Sequence, residues 1–247
     1  NPYTLYWDPN HTGTKDSQGA VAGTSGDGFW DSTSSNWFNG FGWMTWDDSR
    51  GDSAVFLNQP NHSTPNIYCL IDVHANALFF GSGASYYFSG PGWFRLTGGI
   101  QADGGADVHI VNDFDQRGGQ GFQVNGDGSV ELSGSLFGDK SFILDRNNNG
   151  TLTLDGSSDN PNLVLSVNSG SVNLGKASTA TVHAAAALSL NGGTARLTGS
   201  SDYQLYYATN QYLRGGLLDF NGKNLYIDDG HALIAEKNST IRNSDAS

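Results

Sequence analysis

Cysteine occurs once in these 247 residues, at Cys69. No disulfide can form within the chain, which excludes a small domain held by disulfide staples. Cys69 stands in the apolar run Ile67-Tyr-Cys-Leu-Ile71 with no base nearby in sequence, and reads as a small buried hydrophobe rather than a nucleophile. Charge is also sparse: 15% of residues are charged, with 12 Lys and Arg against 24 Asp and Glu, a net charge of −12. No basic stripe is available to neutralise phosphates, which argues against nucleic acid and against an anionic membrane surface as partners. No apolar run is long enough for a transmembrane helix and no signal peptide is present, so membrane insertion is not expected. The chain opens on Asn1 rather than methionine, as expected of a processed chain or an excised fragment. Long amphipathic helices are missing too. The one alanine run, from Ala184 to Leu188, fits strand as well as helix.

Glycine, by contrast, is abundant at 34 residues, and much of it is ordered. A phrase of glycine, any residue, apolar, any residue, apolar recurs at Gly128-Ser-Val-Glu-Leu132, Gly150-Thr-Leu-Thr-Leu154, Gly170-Ser-Val-Asn-Leu174, Gly193-Thr-Ala-Arg-Leu197 and Gly216-Leu-Leu-Asp-Phe220. Its glycines are spaced 22, 20, 23 and 23 residues apart, and a period in the low twenties marks a solenoid. Apolar residues two apart have strand periodicity, and a leading glycine permits a tight corner or a positive φ. Further strands are expected between the phrases, at 140–144, 162–167, 179–184, 203–207 and 224–228. Val108-His-Ile110 lies one period before Val130-Glu-Leu132 and reads as another rung, and Gly92-Trp-Phe-Arg-Leu96 repeats the phrase once more. Two or three strands per period give a coil of parallel strands around a dry core of stacked Val, Leu, Ile and Phe. Two residues before the phrase stand Asn148, Asn168 and Asn191, placed to hydrogen-bond in a ladder from rung to rung.

Residues 1–65 differ in texture. Trp7, Trp30, Trp37, Trp43 and Trp46 fall there, among Gly, Asp, Ser and Asn, and Pro60 and Pro65 break the segment. Terminal units of a solenoid need an atypical cap, and the tryptophans read first as a plug for its open end. A second reading exposes some of them for stacking on sugar rings or on a partner subunit.

The motifs Tyr6-Trp-Asp8, Trp30-Asp31, Asn36-Trp37, Trp46 and Gly51-Asp-Ser-Ala-Val-Phe56 resemble the opening of bacterial proteins with autotransporter-associated β-strand repeats. The later Gly150-to-Gly156 and Gly170-to-Gly175 segments resemble that family's repeat. The resemblance covers nearly the whole chain. It implies a right-handed parallel β-helix exported to the bacterial surface or beyond, with no common catalytic residues. The sequence departs from it in having no C-terminal outer-membrane barrel.

Candidate chemistry is thin. Asp145-Arg-Asn147-Asn-Asn149-Gly150 has the opening spacing of a calcium loop but lacks the closing glutamate, and an Asn-Gly corner explains the same letters. Acid pairs stand at Asp47/Asp48, Asp113/Asp115 and Asp228/Asp229, and Asp113, Asp115 and Arg117 alternate so that they can share a face. His11, His62, His74, His109, His183 and His231 are scattered, with no paired ligand spacing. Arg50-Gly51-Asp52 spells an integrin-binding tripeptide inside the Gly-Asp motif, and glycosylation sequons begin at Asn10, Asn61, Asn149 and Asn238; both are expected by chance in this composition.

The sequence therefore predicts an all-β chain: a right-handed parallel β-helix with a Trp-rich cap at 1–65 and rungs of about 20–23 residues over 66–247. No catalytic, cofactor-binding or metal-ligating residue is expected. The expected role is an extracellular or cell-surface structural protein, as a stalk, an adhesin passenger or a filament subunit. Its partners would be further copies joined end to end or other surface components. The alternatives are a carbohydrate-binding module using exposed aromatics such as Trp43, Trp93, Tyr206, Tyr207 and Tyr212 in a row, and a polysaccharide lyase or hydrolase with two converging acids in a groove. The last clear strands are expected near 225–227 and 232–234, with a polar tail from Glu236 onward that frays or pairs with a neighbour.

Overall fold

A computed structural model describes residues 2–24, 26–59 and 64–244. The sequence features at Pro60, Asn61 and His62 lie outside the described residues. Among those described there is no helix; the chain is a parallel β-solenoid. Each coil lays one strand on a first sheet, turns a short corner and lays the next on a second sheet of ten strands.

The recurring phrase builds the second sheet. Ser129–Leu132 pairs in parallel with Thr151–Leu154, that strand with Ser171–Leu174, and that with Thr194–Leu197 and then Leu217–Asp219. Val130, Leu152, Val172, Ala195 and Leu218 stack as one buried column, and Leu132, Leu154, Leu174 and Leu197 as a second. Side chains alternate across a strand, so each of the first four phrases contributes two residues to the core and two to the outer face, whereas in the fifth Leu218 and Asp219 are buried and Phe220 lies beyond the strand, partly buried. Asp107–Ile110 joins the same sheet, with Val108 against Val130 and Ile110 against Leu132, as the spacing anticipated.

The phrase at Gly92 belongs elsewhere. Phe94–Ala102 lies in the first sheet, where Phe94 pairs with Val73. Five letters of alternating pattern do not say which side of a coil they occupy; only the period does.

The phrase glycines stack as well, and two constraints act on the column. Gly193 has a φ of +63° and Gly170 one of +72°, in the left-handed region that disfavours side chains. Gly150 has no positive φ, yet a Cβ on it would run into the carbonyl oxygen of Gly128 one coil below, as one on Gly193 would into Gly170 O. The corner is therefore closed by backbone on backbone, with no space for a methyl group.

The first sheet agrees less with expectation. A strand forms at Leu163–Val167 as anticipated, and one at Phe142–Arg146, two residues further along than the expected 140–144. Segments 179–184 and 203–207 supply only isolated bridges and 224–228 no strand; in those coils the first-sheet strands are Ala187–Leu190, Gln211–Leu213 and Leu233–Ala235. Periodicity marks apolar residues turned inward, and corners turn such residues inward as strands do. The second sheet ends on Thr240–Arg242, within the tail expected to fray or to pair with a neighbour. That strand is clamped by Arg242, whose guanidinium lies 2.7 Å from the buried Asp219 carboxylate. Burial pushes Asp219 up, but bonds from Arg242 and from the Ser244 and Asn221 backbone outweigh it and hold the carboxyl at about 2.

The asparagine ladder exists with one member exchanged. Asn191 Nδ2 donates to Asn168 Oδ1 at 2.8 Å, Asn168 to Asn147 at 2.9 Å, and Asn147 to Asn125 at 2.9 Å. Asn147, not Asn148, occupies the rung, because this corner carries one extra residue before its glycine. Asn148 absorbs it in a left-handed conformation, with a φ of +64°.

At the N-terminal end the first sheet closes with antiparallel pairing. Thr4–Trp7 pairs in parallel with Ser53–Phe56 on one side and antiparallel with Trp37–Phe38 on the other; Trp37–Phe38 pairs in turn with Trp43–Met44. Trp7, Trp30, Trp37 and Trp46 are buried against one another, with Trp30 and Trp37 ring centroids 4.6 Å apart and Trp46 4.9 Å from each. These four plug the solenoid's mouth, as the first reading of the tryptophans expects. Trp43 alone of the five is exposed, stacked on His11 and donating its indole N–H to Asp8 at 2.6 Å.

Candidate functional site

The acids singled out in the sequence are tied into the framework. Asp115 is fully buried between two arginines, with Arg95 Nη2 at 3.2 Å and Arg117 Nε at 2.5 Å. Asp113 instead accepts the Ser135 backbone N–H at 2.7 Å, so the alternating pair does not converge. Asp48 receives the Trp46 indole N–H and the His74 backbone N–H, while Asp47 caps the turn at Ser49. Asp228 accepts the backbone N–H of its neighbour Asp229. The tripeptide at Arg50 is turned on itself: Arg50 Nε donates to the buried Asp52 at 2.8 Å.

The calcium-like stretch is not a loop. Asp145 lies within the strand Phe142–Arg146, and Thr151–Leu154 follows after one corner. Among the described residues no group of three His, Cys, Asp or Glu side chains is placed to hold a metal. Cys69 is buried, and burial pushes its thiol up, away from reactivity.

Two buried cations are internal fittings that sequence reasoning did not single out. Arg146 takes a core position stacked between Val124 and Val167, and donates to the carbonyls of Val124 and Gly126, each at 2.8 Å. Lys176 reaches back to the Gly134 carbonyl at 2.8 Å; burial lowers its pKa to about 8, against the opposing pull of Asp155, Asp113 and Asp159. His109 bridges Glu131 at 3.1 Å and Asp107 at 3.4 Å. Burial opposes its protonation, but the two carboxylates outweigh it and raise its pKa.

The aromatic residues expected in one row have different neighbours. Trp43 belongs to the cap. Trp93 lies under the guanidinium groups of Arg95 and Arg117, and Tyr212 under that of Arg214. Tyr206 and Tyr207 do come together, with ring centroids 5.0 Å apart, at a corner that also holds His183.

Two concave surfaces follow. The first is a shallow groove on the outer face of the first sheet. Three hollows of about 210, 560 and 700 Å³ adjoin there, the first two sharing Gly98 and the last two Ile143 and Asp145. The second is a cleft at the tyrosine corner, where cavities of about 370 and 290 Å³ share Ala180 and Tyr207. The corner segments 175–186, 198–210 and 220–232 line it, together with Asp159 and Pro161 from the preceding coil. The sequence showed their tyrosines, but only the stacking of coils put Asp159 and His183, 24 residues apart, beside them.

Compared with known proteins, the chain matches no family model, no curated protein and no solved structure. The class of protein, a parallel β-solenoid with a tryptophan-plugged N-terminal end, rests on the fold itself.

Proposed function

We propose that this chain is an extracellular structural rod, of the kind a bacterium displays at its surface as a passenger, and that it acts by rigid spacing rather than by catalysis. The observation that supports this most is the continuity of the second sheet from Gly28–Trp30 to Thr240–Arg242, with one end sealed by the tryptophan plug. A rod of uniform register transmits position along its axis, and nearest-neighbour coils supply its stability. The engagement of Asp115, Asp48 and Asp52 in framework bonds favours this reading over a hydrolase, which needs free acids facing a substrate.

The resemblance to autotransporter-associated repeat proteins points the same way. Between a capped rod and a filament subunit, the antiparallel hairpin on the first sheet's N-terminal edge favours the rod. Propagation needs an open parallel edge at both ends, and Trp37–Met44 covers one.

Ten strands spaced about 4.8 Å apart make a solenoid roughly 45 Å long. Light scattering and small-angle X-ray scattering across a concentration series test the reading. The expected result is a particle of 26.2 kDa at every concentration, elongated along one axis. Masses that climb in multiples with concentration would replace the capped rod with a polymerising subunit. A particle with no long axis would overturn both.

A further inference from the structure

At the tyrosine corner His183 is 4% exposed, and its ring Nδ1 lies 3.2 Å from Asp159 Oδ1, which also accepts the His183 backbone N–H at 2.7 Å. A carboxylate facing Nδ1 selects the tautomer with the proton there and leaves Nε2 as an acceptor. Nε2 is buried and has no hydrogen-bond partner among the described residues. A buried acceptor without a donor costs on the order of 1–3 kcal/mol, which a hydroxyl donating to Nε2 would recover.

The surroundings suit a ligand that brings such a hydroxyl on an apolar ring. His183 lines the larger cavity with Asp159, Thr181, Tyr206 and Tyr207. Tyr206 stands edge-on to the imidazole at 5.0 Å and is 36% exposed. Tyr207 continues into the smaller cavity, where Tyr203 and Tyr226 stack at 5.0 Å and Tyr226 is half exposed. Exposed aromatic faces beside acceptors (Asp159, Asp228, His183 Nε2) form a surface that stacks sugar rings and receives their hydroxyl protons.

We propose that this corner is a binding site for a neutral oligosaccharide, with one sugar ring against Tyr207 donating a hydroxyl to His183 Nε2 and the next ring over Tyr226. Neutrality follows from charge. Among the described residues Asp159 and Asp228 are the charged side chains lining the cavities, beside the neutral imidazole, and the chain carries −12, so a uronic acid or sulfated glycan is repelled. The site deepens no part of the rod reading and stands or falls apart from it, since a spacer works with or without a ligand.

The test is calorimetric titration of the full chain at neutral pH with hexasaccharides of β-1,4-glucose, β-1,3-glucose, β-1,4-xylose, β-1,4-N-acetylglucosamine and α-1,4-glucose, and with tetramethylammonium. Saturable binding of at least one hexasaccharide is expected. Tyr207→Ala and Tyr226→Ala should each weaken it tenfold or more, and Tyr212→Ala should leave it unchanged. Tyr226 is half exposed, so its removal reads the site rather than the fold. The ¹⁵N signal of His183 Nε2, assigned with His183→Asn, should move on saturation. The proposal is overturned by the absence of binding to all five sugars, by binding that survives both tyrosine variants, by equal loss in Tyr212→Ala, by a stationary His183 signal, or by binding of tetramethylammonium alone.

Discussion

Four glycine-to-alanine substitutions separate the two constraints that shape the corners. Gly193 has both a left-handed φ of +63° and backbone where its Cβ would go; Gly150 has only the obstruction, by Gly128 O. Gly118 has only the φ, +86°, with nothing within 4 Å of the added carbon, and Gly104 has neither. An alanine held at positive φ costs about 1–2 kcal/mol. Loss of unfolded-state freedom returns roughly 0.4–1 kcal/mol at every site. A methyl group driven into packed backbone costs about 1–3 kcal/mol more. Gly104→Ala should therefore be neutral or slightly stabilising, and Gly118→Ala should cost about 1 kcal/mol. Gly150→Ala should cost about 1–2 kcal/mol and Gly193→Ala about 2–4 kcal/mol. For a chain of this size 1 kcal/mol moves Tm by about 2–4 °C, so Gly193→Ala should lower it by roughly 4–16 °C. Thermal unfolding followed by far-ultraviolet circular dichroism reads all four. A Gly150→Ala variant as stable as Gly104→Ala would refute close backbone contact between coils, and a Gly193→Ala no worse than Gly118→Ala would do the same.

Two further outcomes are expected. The Lys176 ammonium has its folded pKa lowered to about 8 from an ordinary 10.5, so between those values the unfolded chain holds a proton that the folded chain has released, and stability rises with pH. Urea midpoints at pH 7, 8, 9 and 10 for the native chain and Lys176→Met should show the native chain gaining about 1 kcal/mol per pH unit on the variant above pH 8; parallel profiles would sink the argument. Trp37→Ala opens the plug and should cost about 3–5 kcal/mol, whereas Trp43→Ala, on the exposed face of the same hairpin, should cost far less; equal losses by chemical denaturation would contradict the division of labour between them.

The second sheet was legible because its strands carry a signal in two registers at once, the alternation of Val and Leu within a phrase and the recurrence of the glycine between phrases. The core columns through Leu152 and Leu154 follow from those letters. The first sheet was half legible: 142–146 and 163–167 follow regular corners, but in later coils the corner segments 175–186, 198–210 and 220–232 displace the strands to 187–190, 211–213 and 233–235, and inward-facing residues in a corner look like those of a strand. Counting back two residues from Gly150 points to Asn148, and the single left-handed residue in that corner puts Asn147 in the ladder instead.

What the sequence determined alone was the period, and with it the parallel solenoid, because every coil must bury the same two faces against its neighbours. It also determined that the tryptophan-rich end differs from the rest. Only the tertiary structure decided what lies between coils: that Gly150 meets Gly128 O, that Arg146 occupies a column of valines, and that Asp159 orients His183 among tyrosines from the following coils. Contacts across the stack join residues 20 to 25 apart, and the length of each intervening corner, which local letters do not fix, sets which residues meet.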